Sequence, residues 1–462
     1  MSLPNEPDLL RQMALDHLWM HSADWVQMAR DGQPLVIVEG HGVRVKDAEG
    51  NWWIDVNGGY ASVHVGYGRE EIADAAYRQM RQIHYFPART TTPPTVRLAA
   101  KLAEIAPGSL SRAFLVSGGS EANETALKIA RAYHRRRGEP GRYRIISRQG
   151  SYHGGTGGVV WLGALPNSTR ADLEPEPPGM AYAPQPNSYR CPFGTDNPRD
   201  CAVRCAEEIE SLFQFYGPET VAAVIAEPIA YPPGAAVPGD EYWPAVREIC
   251  DKHGVLLIVD EIITGFGRTG KMFALEHWGV VPDIMTVAKG ISSCYLPLGA
   301  VIARKEIADL FAGEDNLLRH VFTFAGHPVA AAVGLKNIEI IEREGLVRRA
   351  AESGGLFKTR LQELQAKHSM IGDVRGLGLM LAMEMVVDRD TRAPFAPEAK
   401  VAEKLTSAFN KRGLLLRAEG HALVHLTPPL CVTNDEIDEI VTAIDESLTD
   451  VEQQLATSSS RG

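Results

Sequence analysis

The 462 residues exceed what one hydrophobic core usually organises, so two domains are expected, with room for a third. Hydrophobic residues make up 45% and charged residues 23%, an ordinary soluble composition. The 58 acidic against 47 basic residues give a formal charge of −11, which argues against nucleic acid or an anionic membrane as the main partner.

In chain order, Met1 to Leu10 carries acids and lacks the basic-then-apolar order of a signal peptide. No stretch approaches the roughly 20 apolar residues of a spanning helix. Six cysteines in so long a chain make no disulfide framework, so a reducing, cytoplasmic location is expected. The first forty residues read as a helix followed by a strand at 34–40. Period-2 alternation in GVRVKDAEGNWWIDV (42–56) predicts a hairpin around the turn Asp47 to Asn51. From about Ala61 onward, short apolar runs alternate with helical stretches; the runs are 113–116, 143–146, 221–226, 255–259, 284–287 and 299–302. That alternation predicts an α/β fold with a mostly parallel sheet covered by helices on both faces. The basic run His134 to Arg137 reads as a solvated helix end. Pro166 to Pro192 and Tyr231 to Gly239, rich in Pro and Gly, read as long surface loops. Cys191, Cys201 and Cys205 lack a clear fourth zinc ligand and read as ordinary thiols under a loop, so no metal is expected. After His327-Pro328 a helix is predicted from Ala330 to Glu344, then a smaller α+β segment with strands near 379–383 and 422–426. The last dozen residues are polar and are expected to fray.

Four motifs carry chemistry, and each has a plain reading beside the functional one. Asp260, ending the run Val255 to Val259, can cap a helix, hold a metal or keep a pyridine nitrogen protonated; capping is the commonest of these. Lys289, ending the run 284–287, is either a lysine leaving for solvent or an amine nucleophile made partly neutral by burial. Ser117-Gly118-Gly119-Ser120 opens a helix and is either an N-cap or an anion site of free N–H groups. Tyr152, in Ser151-Tyr152-His153-Gly154, is either a core tyrosine or a stacking surface. Together they supply an amine, a carboxylate, a phosphate cradle and a stacking face after strands of one sheet. That set matches pyridoxal phosphate and few other ligands.

The strings that hold these residues resemble the class III (omega-) aminotransferases of pyridoxal-phosphate fold type I. They are SGGSEANETALKIAR (117–131), SYHG (151–154), AEP (226–228), the segment 259–290, FTFAGHP (322–328) and DVRGLGLM (373–380). The resemblance implies a large domain with a seven-stranded sheet at 61–330. It also implies a small α+β domain built from both termini, 1–60 and 331–462. Lys289 is then the lysine that condenses with pyridoxal 5′-phosphate and carries the proton, and Asp260 faces the ring nitrogen. Ile262 and Tyr152 pack on opposite ring faces, with His153 and Glu227 beside them. Ser117, Gly118, Gly119 and Ser120 hold the phosphate. Thr323 reaches the phosphate in the neighbouring subunit of a homodimer. Arg268 fits a structural task better than a substrate contact.

Relatives that use glutamate carry an arginine before the Pro-Pro pair and some a glutamate five residues after the acid of the EP motif. Those places hold His425 and Pro232 here, which disfavours 2-oxoglutarate and favours pyruvate as acceptor of the amino group from a small amine. Arg417 resembles the mobile arginine that clamps the acceptor carboxylate, an exposed loop arginine being the plain alternative. Tyr60 and Ala61 align with a pocket wall, where a small Ala61 implies an altered shape. The physiological amine, enantioselectivity and tetramer formation stay open. So do other reactions on the same constellation (aminomutase, decarboxylating transaminase, racemase, phospho-lyase) and a non-catalytic cofactor-retaining protein.

Overall fold

The computed structural model describes residues 6–87, 89–163 and 170–459. Strands β2 (Arg44–Asp47) and β3 (Trp52–Asp55) form the predicted hairpin, and the predicted first strand, β1 (Ile37–His41), pairs antiparallel with β2. The central strands are β4 (Leu110–Val116), β5 (Arg144–Arg148), β6 (Met180–Ala183), β7 (Val221–Ala226), β8 (Leu256–Asp260), β9 (Ile284–Val287) and β10 (Gly299–Arg304). They make one seven-stranded sheet in the order β4-β10-β9-β8-β7-β5-β6. Beyond them lie β11 (Ile371–Leu377), β12 (Met380–Met385), β13 (Leu414–Leu415), β14 (Ala418–Glu419) and β15 (Leu423–Leu426). Strand β13 pairs with β3, so a C-terminal strand completes the N-terminal sheet, while β11-β12-β15-β14 form a third sheet.

The chain is an α/β protein, and the sequence explains why. Every residue of β7, β8 and β9 is buried, as continuous apolar runs require when helices cover both faces. Leu256 and Ile258 face the cluster under the helix Gly119–Arg136. Leu257 and Val259 face the cluster under the helices Pro198–Tyr216 and Tyr242–His253. Removing one such side chain, as in Ile258→Ala, costs about 2–5 kcal/mol. The first four pairings from the β6 edge are parallel, but β10 runs antiparallel to both β9 and β4. The sheet is therefore mixed, and the 113–116 run joins it through an antiparallel neighbour.

Three expectations are corrected. The Pro166–Pro192 stretch contains β6, whose MAYA core carries too little apolar weight to stand out between prolines. The Tyr231–Gly239 stretch is not a surface loop: Ala235 is buried against Met380 and Ala382, Ala236 is buried too, and Arg375 donates to the carbonyls of Pro233 and Gly234. The C-terminal residues do not fray as far as residue 459. The helix Asn434–Ser459 carries apolar Ile437, Ile440, Ile444, Leu448 and Val451 into the core, and the rest of that stretch, 460–462, lies outside the described residues. Cys201 and Cys205 are buried in the apolar cluster around Tyr242 and Trp243. Among the described residues no helix is long and apolar enough to cross a membrane.

Candidate active site

Five strand ends deliver side chains to one cavity of ≈ 370 Å³. After β4 come Ser117 to Ser120, after β5 Tyr152 and His153, after β7 Glu227, at the end of β8 Asp260 with Ile262, and after β9 Lys289. All of them line the cavity.

Asp260 is 3% exposed and accepts three hydrogen bonds. Asn123 Nδ2 and His153 Nδ1 both lie 2.8 Å from its Oδ2, and the Ile262 amide donates to Oδ1 at 3.0 Å. Asn123 also donates to the His153 carbonyl at 2.8 Å and accepts from Thr286 Oγ1 at 2.7 Å, so its amide orientation is fixed on both sides. Behind this group Glu227 Oε2 lies 3.1 Å from Arg148 Nη2 and 3.8 Å from His153 Nε2. Its Oε1 accepts from the Tyr152 amide at 3.1 Å. Burial lowers the His153 pKa, but the carboxylates of Glu227 and Asp260 outweigh it and hold the imidazole above its ordinary 6.5. Burial likewise raises Glu227, yet His153 and Arg148 win and its carboxyl sits below its ordinary value. The result is a buried row of alternating charge: guanidinium, carboxylate, imidazolium, carboxylate.

Lys289 stands on a tight turn, with Ile291 N bonded to Ala288 O and Ser292 N to Lys289 O. Its φ of 42° is left-handed, a conformation that costs on the order of 1–3 kcal/mol in a non-glycine residue and persists only where its surroundings impose it. Gly290 is required next to it, because a Cβ there would come within 2.3 Å of His64 Cε1. Burial pulls the Lys289 amine down to about 8, with Arg268 adding to the effect while Cys294 and Asp260 oppose it. At neutral pH such an amine is mostly charged yet keeps a useful neutral fraction.

The helix Gly119–Arg136 begins at the cavity, and its 18 residues aim a helix N-terminus into it. Ser117 N is held by Glu121 Oε2 at 2.7 Å, and Ser120 Oγ accepts from Gly155 N at 3.2 Å. A Cβ on Gly118 would meet nothing within 4 Å, whereas one on Gly119 would press on Ile262 Cδ1 at 2.9 Å. Tyr152, 45% exposed, offers an aromatic face to the cavity. A flat, aldehyde-bearing molecule with an anionic tail fits this donor set: amine, carboxylate, helix N-terminus and aromatic face.

Thr323, Ala61, Tyr60, Arg417 and Arg268, all singled out from sequence, do not line the cavity. Thr323 is exposed. Ala61 is wholly buried, at the end of the left-handed turn 58–61. Tyr60 is 53% exposed, with the Arg417 guanidinium 5.8 Å from its ring centre. Arg417 is exposed and paired with Glu419 at 3.2 Å. Arg268 is fully buried and donates to the carbonyls of Leu379 and Pro428 at 3.0 and 2.6 Å, a tie between chain segments. Sequence reasoning missed Asn123, Thr286, Arg148 and Tyr231. A polar Asn within a run of helix formers and a Thr inside an apolar strand were signals for the first two. Arg148 ends a strand with no pattern to mark it, and Tyr231 was hidden by its prolines.

The model of the family described as Aminotransferase class-III matches residues 27–448. A probable aminotransferase of Mycobacterium tuberculosis is 40% identical over 457 residues, covering 97% of this chain and 96% of the relative. A putrescine–pyruvate aminotransferase of Pseudomonas aeruginosa is 38% identical over 433 residues, 93% of each. The crystal structure of a thermostable (S)-enantioselective omega-transaminase from Thermomicrobium roseum superposes with a TM-score of 0.92 at 40% identity, covering 96% of this chain and 98% of that one.

Proposed function

The chain belongs to the class III aminotransferase family, and we propose that it moves an amino group from a primary amine or omega-amino acid to pyruvate, with pyridoxal 5′-phosphate as cofactor and ping-pong kinetics. The observation that carries this reading is the convergence of Lys289 and Asp260, from adjacent parallel strands, on one cavity with the N-terminus of the helix Gly119–Arg136.

When bound, the cofactor supplies an aldehyde that condenses with amines and a protonated ring that draws electrons from the neighbouring carbon. Lys289 would hold the aldehyde, Asp260 the ring nitrogen, Ser117 to Ser120 the phosphate, and Tyr152 and Ile262 the two ring faces. Lys289 takes a proton from the donor carbon and returns it, which its lowered pKa of about 8 suits. Asn123 and His153 fix the rotamer of Asp260, while Glu227 and Arg148 fix His153 in turn. The apolar walls Ile229, Ile263 and Leu298 exclude water from that proton transfer.

A homodimer with shared sites is part of the reading. Val321 and Phe324, 69% and 62% exposed, flank Thr323 and leave an apolar surface for a second subunit to cover. For the acceptor, His425 is a buried imidazole whose pKa burial lowers, so it offers a second carboxylate no charge partner. Arg417, exposed and outside the cavity lining, is the group suited to the single carboxylate of pyruvate. The Pseudomonas relative named for pyruvate agrees with this assignment.

The test is direct. Protein supplied with the cofactor turns yellow, borohydride fixes the cofactor on Lys289 in peptide mapping, and an amine donor alone bleaches the visible band stoichiometrically. An adduct on another lysine ends the proposal; a band that an amine leaves unbleached points to a racemase or phospho-lyase instead.

A further inference from the structure

The stretch 231–239 places an aromatic side chain at the cavity and holds it from several sides. Tyr231 lines the cavity, as do Ile229, Ile263, Leu296 and Pro297. One face of its ring stacks on the His425 imidazole, with ring centres 4.1 Å apart and planes 17° from parallel. His425 Nε2 donates to the Tyr231 carbonyl at 2.8 Å, and the Tyr231 hydroxyl donates to Asn57 Oδ1 at 3.1 Å. Asn57 in turn is held by Thr427 Oγ1 at 2.9 and 3.1 Å. Arg375 pins the following turn through the carbonyls of Gly234 and Pro233 at 2.6 and 2.7 Å. Three separate segments therefore hold Tyr231 and the turn after it, and Tyr231 borders the cavity. A wall fixed before substrate arrives loses no further freedom on binding, which is how an aromatic surface becomes selective.

Resting on the function proposed above, we infer that Tyr231, backed by His425, is the specificity-determining residue of the donor site, and that it selects amines with an uncharged aryl or alkyl distal group. Neither ring brings a charge to the wall: burial keeps the Tyr231 phenol protonated and His425 neutral. The neighbouring guanidinium of Arg268 donates through Nη1 to two backbone carbonyls and does not line the cavity. A distal carboxylate laid here is desolvated without a partner, whereas an aryl ring gains a stacking surface.

The experiment uses the cofactor-loaded enzyme and three donors: benzylamine, its para-carboxylate 4-(aminomethyl)benzoate, and L-alanine as a small reference. Wild type is expected to prefer benzylamine over its carboxylate by about tenfold or more in kcat/KM. Tyr231→Ala lowers the benzylamine value about tenfold and leaves alanine within about twofold, and His425→Gln gives a smaller loss in the same direction. If Tyr231→Ala does not fold, Tyr231→Leu keeps apolar volume without a ring and bears the same expectation. Equal losses for benzylamine and alanine, no loss for either, or a carboxylate accepted as well as benzylamine overturns the assignment. Failure of the aminotransferase reading looks different: wild type consumes none of the three donors, and this inference falls with it.

Discussion

Asp260 and His153 meet at 2.8 Å, Oδ2 to Nδ1, with Glu227 3.8 Å beyond the far ring nitrogen. An imidazole between two carboxylates is held protonated, and that gives the site a pH signature. The folded His153 pKa lies above 6.5, so its contribution to stability is complete below about 6.5 and fades as pH rises through the folded value. Glu227 acts in the opposite sense: its folded pKa lies below 4.5, so its contribution is present above that value and is lost as pH falls through the folded one. Cofactor-free wild type should therefore lose melting temperature between about pH 6.5 and 8, more than His153→Gln does. That window stays below the Lys289 value of about 8, above which the lysine works the other way. Parallel pH profiles for the two proteins would remove the imidazolium from the account.

Lys289→Ala should lower turnover by about 10³-fold or more, since general acid–base catalysis alone contributes about 10²–10⁴ and the nucleophile is lost as well. Far-ultraviolet circular dichroism should be unchanged, because the turn at Lys289 is closed by main-chain hydrogen bonds that the substitution leaves in place. Steady-state rates with an amine and pyruvate decide it; activity within about tenfold of wild type would mean another base carries the proton.

How far these features were visible in the sequence depends on whether local pattern or tertiary placement set them. Asp260 and Lys289 stood out because apolar strands of β8 and β9 end in charge, and parallel pairing then puts both ends at one sheet edge. The direction of β10 was not legible: Gly299 to Ile302 has the same apolar composition as its parallel neighbours, and only the path of the connection sets its sense. Tyr231 was misplaced for a related reason. Pro232, Pro233 and Gly234 signal a turn correctly, but nothing local says that Arg375, 141 residues beyond Gly234, buries that turn. Asn123 carries no periodic signature either; its meaning comes from Thr286 and Asp260, which the fold brings to it.

Arg148 and Glu227 are both buried, so removing one partner strands the other's charge. Arg148→Met should destabilise cofactor-free protein by about 3–5 kcal/mol, and Glu227→Gln by a similar amount. The double variant should be clearly more stable than the sum of the two losses predicts, because it leaves no lone charge. Urea unfolding of the four proteins measures this. Simple additivity would show that solvent or other groups satisfy each residue.

Asn123→Ala removes two donors and one acceptor at a position of 0% exposure. Each polar group left without a partner costs about 1–3 kcal/mol, and three lose one here: Asp260 Oδ2, the His153 carbonyl and the Thr286 hydroxyl. Asp260 keeps His153 and the Ile262 amide, so the carboxylate stays but its orientation loosens. The expected result is a fall in kcat of about 10–100-fold together with weaker cofactor retention on dialysis, as loss of an orienting partner produces. Unchanged retention with unchanged kcat would relegate Asn123 to packing alone.

Arg417 tests the acceptor side. Its guanidinium is exposed, held by Glu419 at 3.2 Å and resting over the Tyr60 ring, contacts weak enough to exchange for a carboxylate that binds in bidentate fashion. On the proposed reading, a neutral His425 leaves Arg417 as the partner for a single carboxylate, so the distal carboxylate of 2-oxoglutarate would go unpaired. A panel of amines should therefore yield alanine readily with pyruvate and little glutamate with 2-oxoglutarate. Arg417→Ala should raise KM for pyruvate about tenfold or more while single-turnover consumption of an uncharged amine stays within about twofold. The two half-reactions discriminate because only the acceptor carries the carboxylate. If both slow equally, Arg417 supports the loop rather than the substrate, and if 2-oxoglutarate is the better acceptor, the pyruvate assignment falls with it.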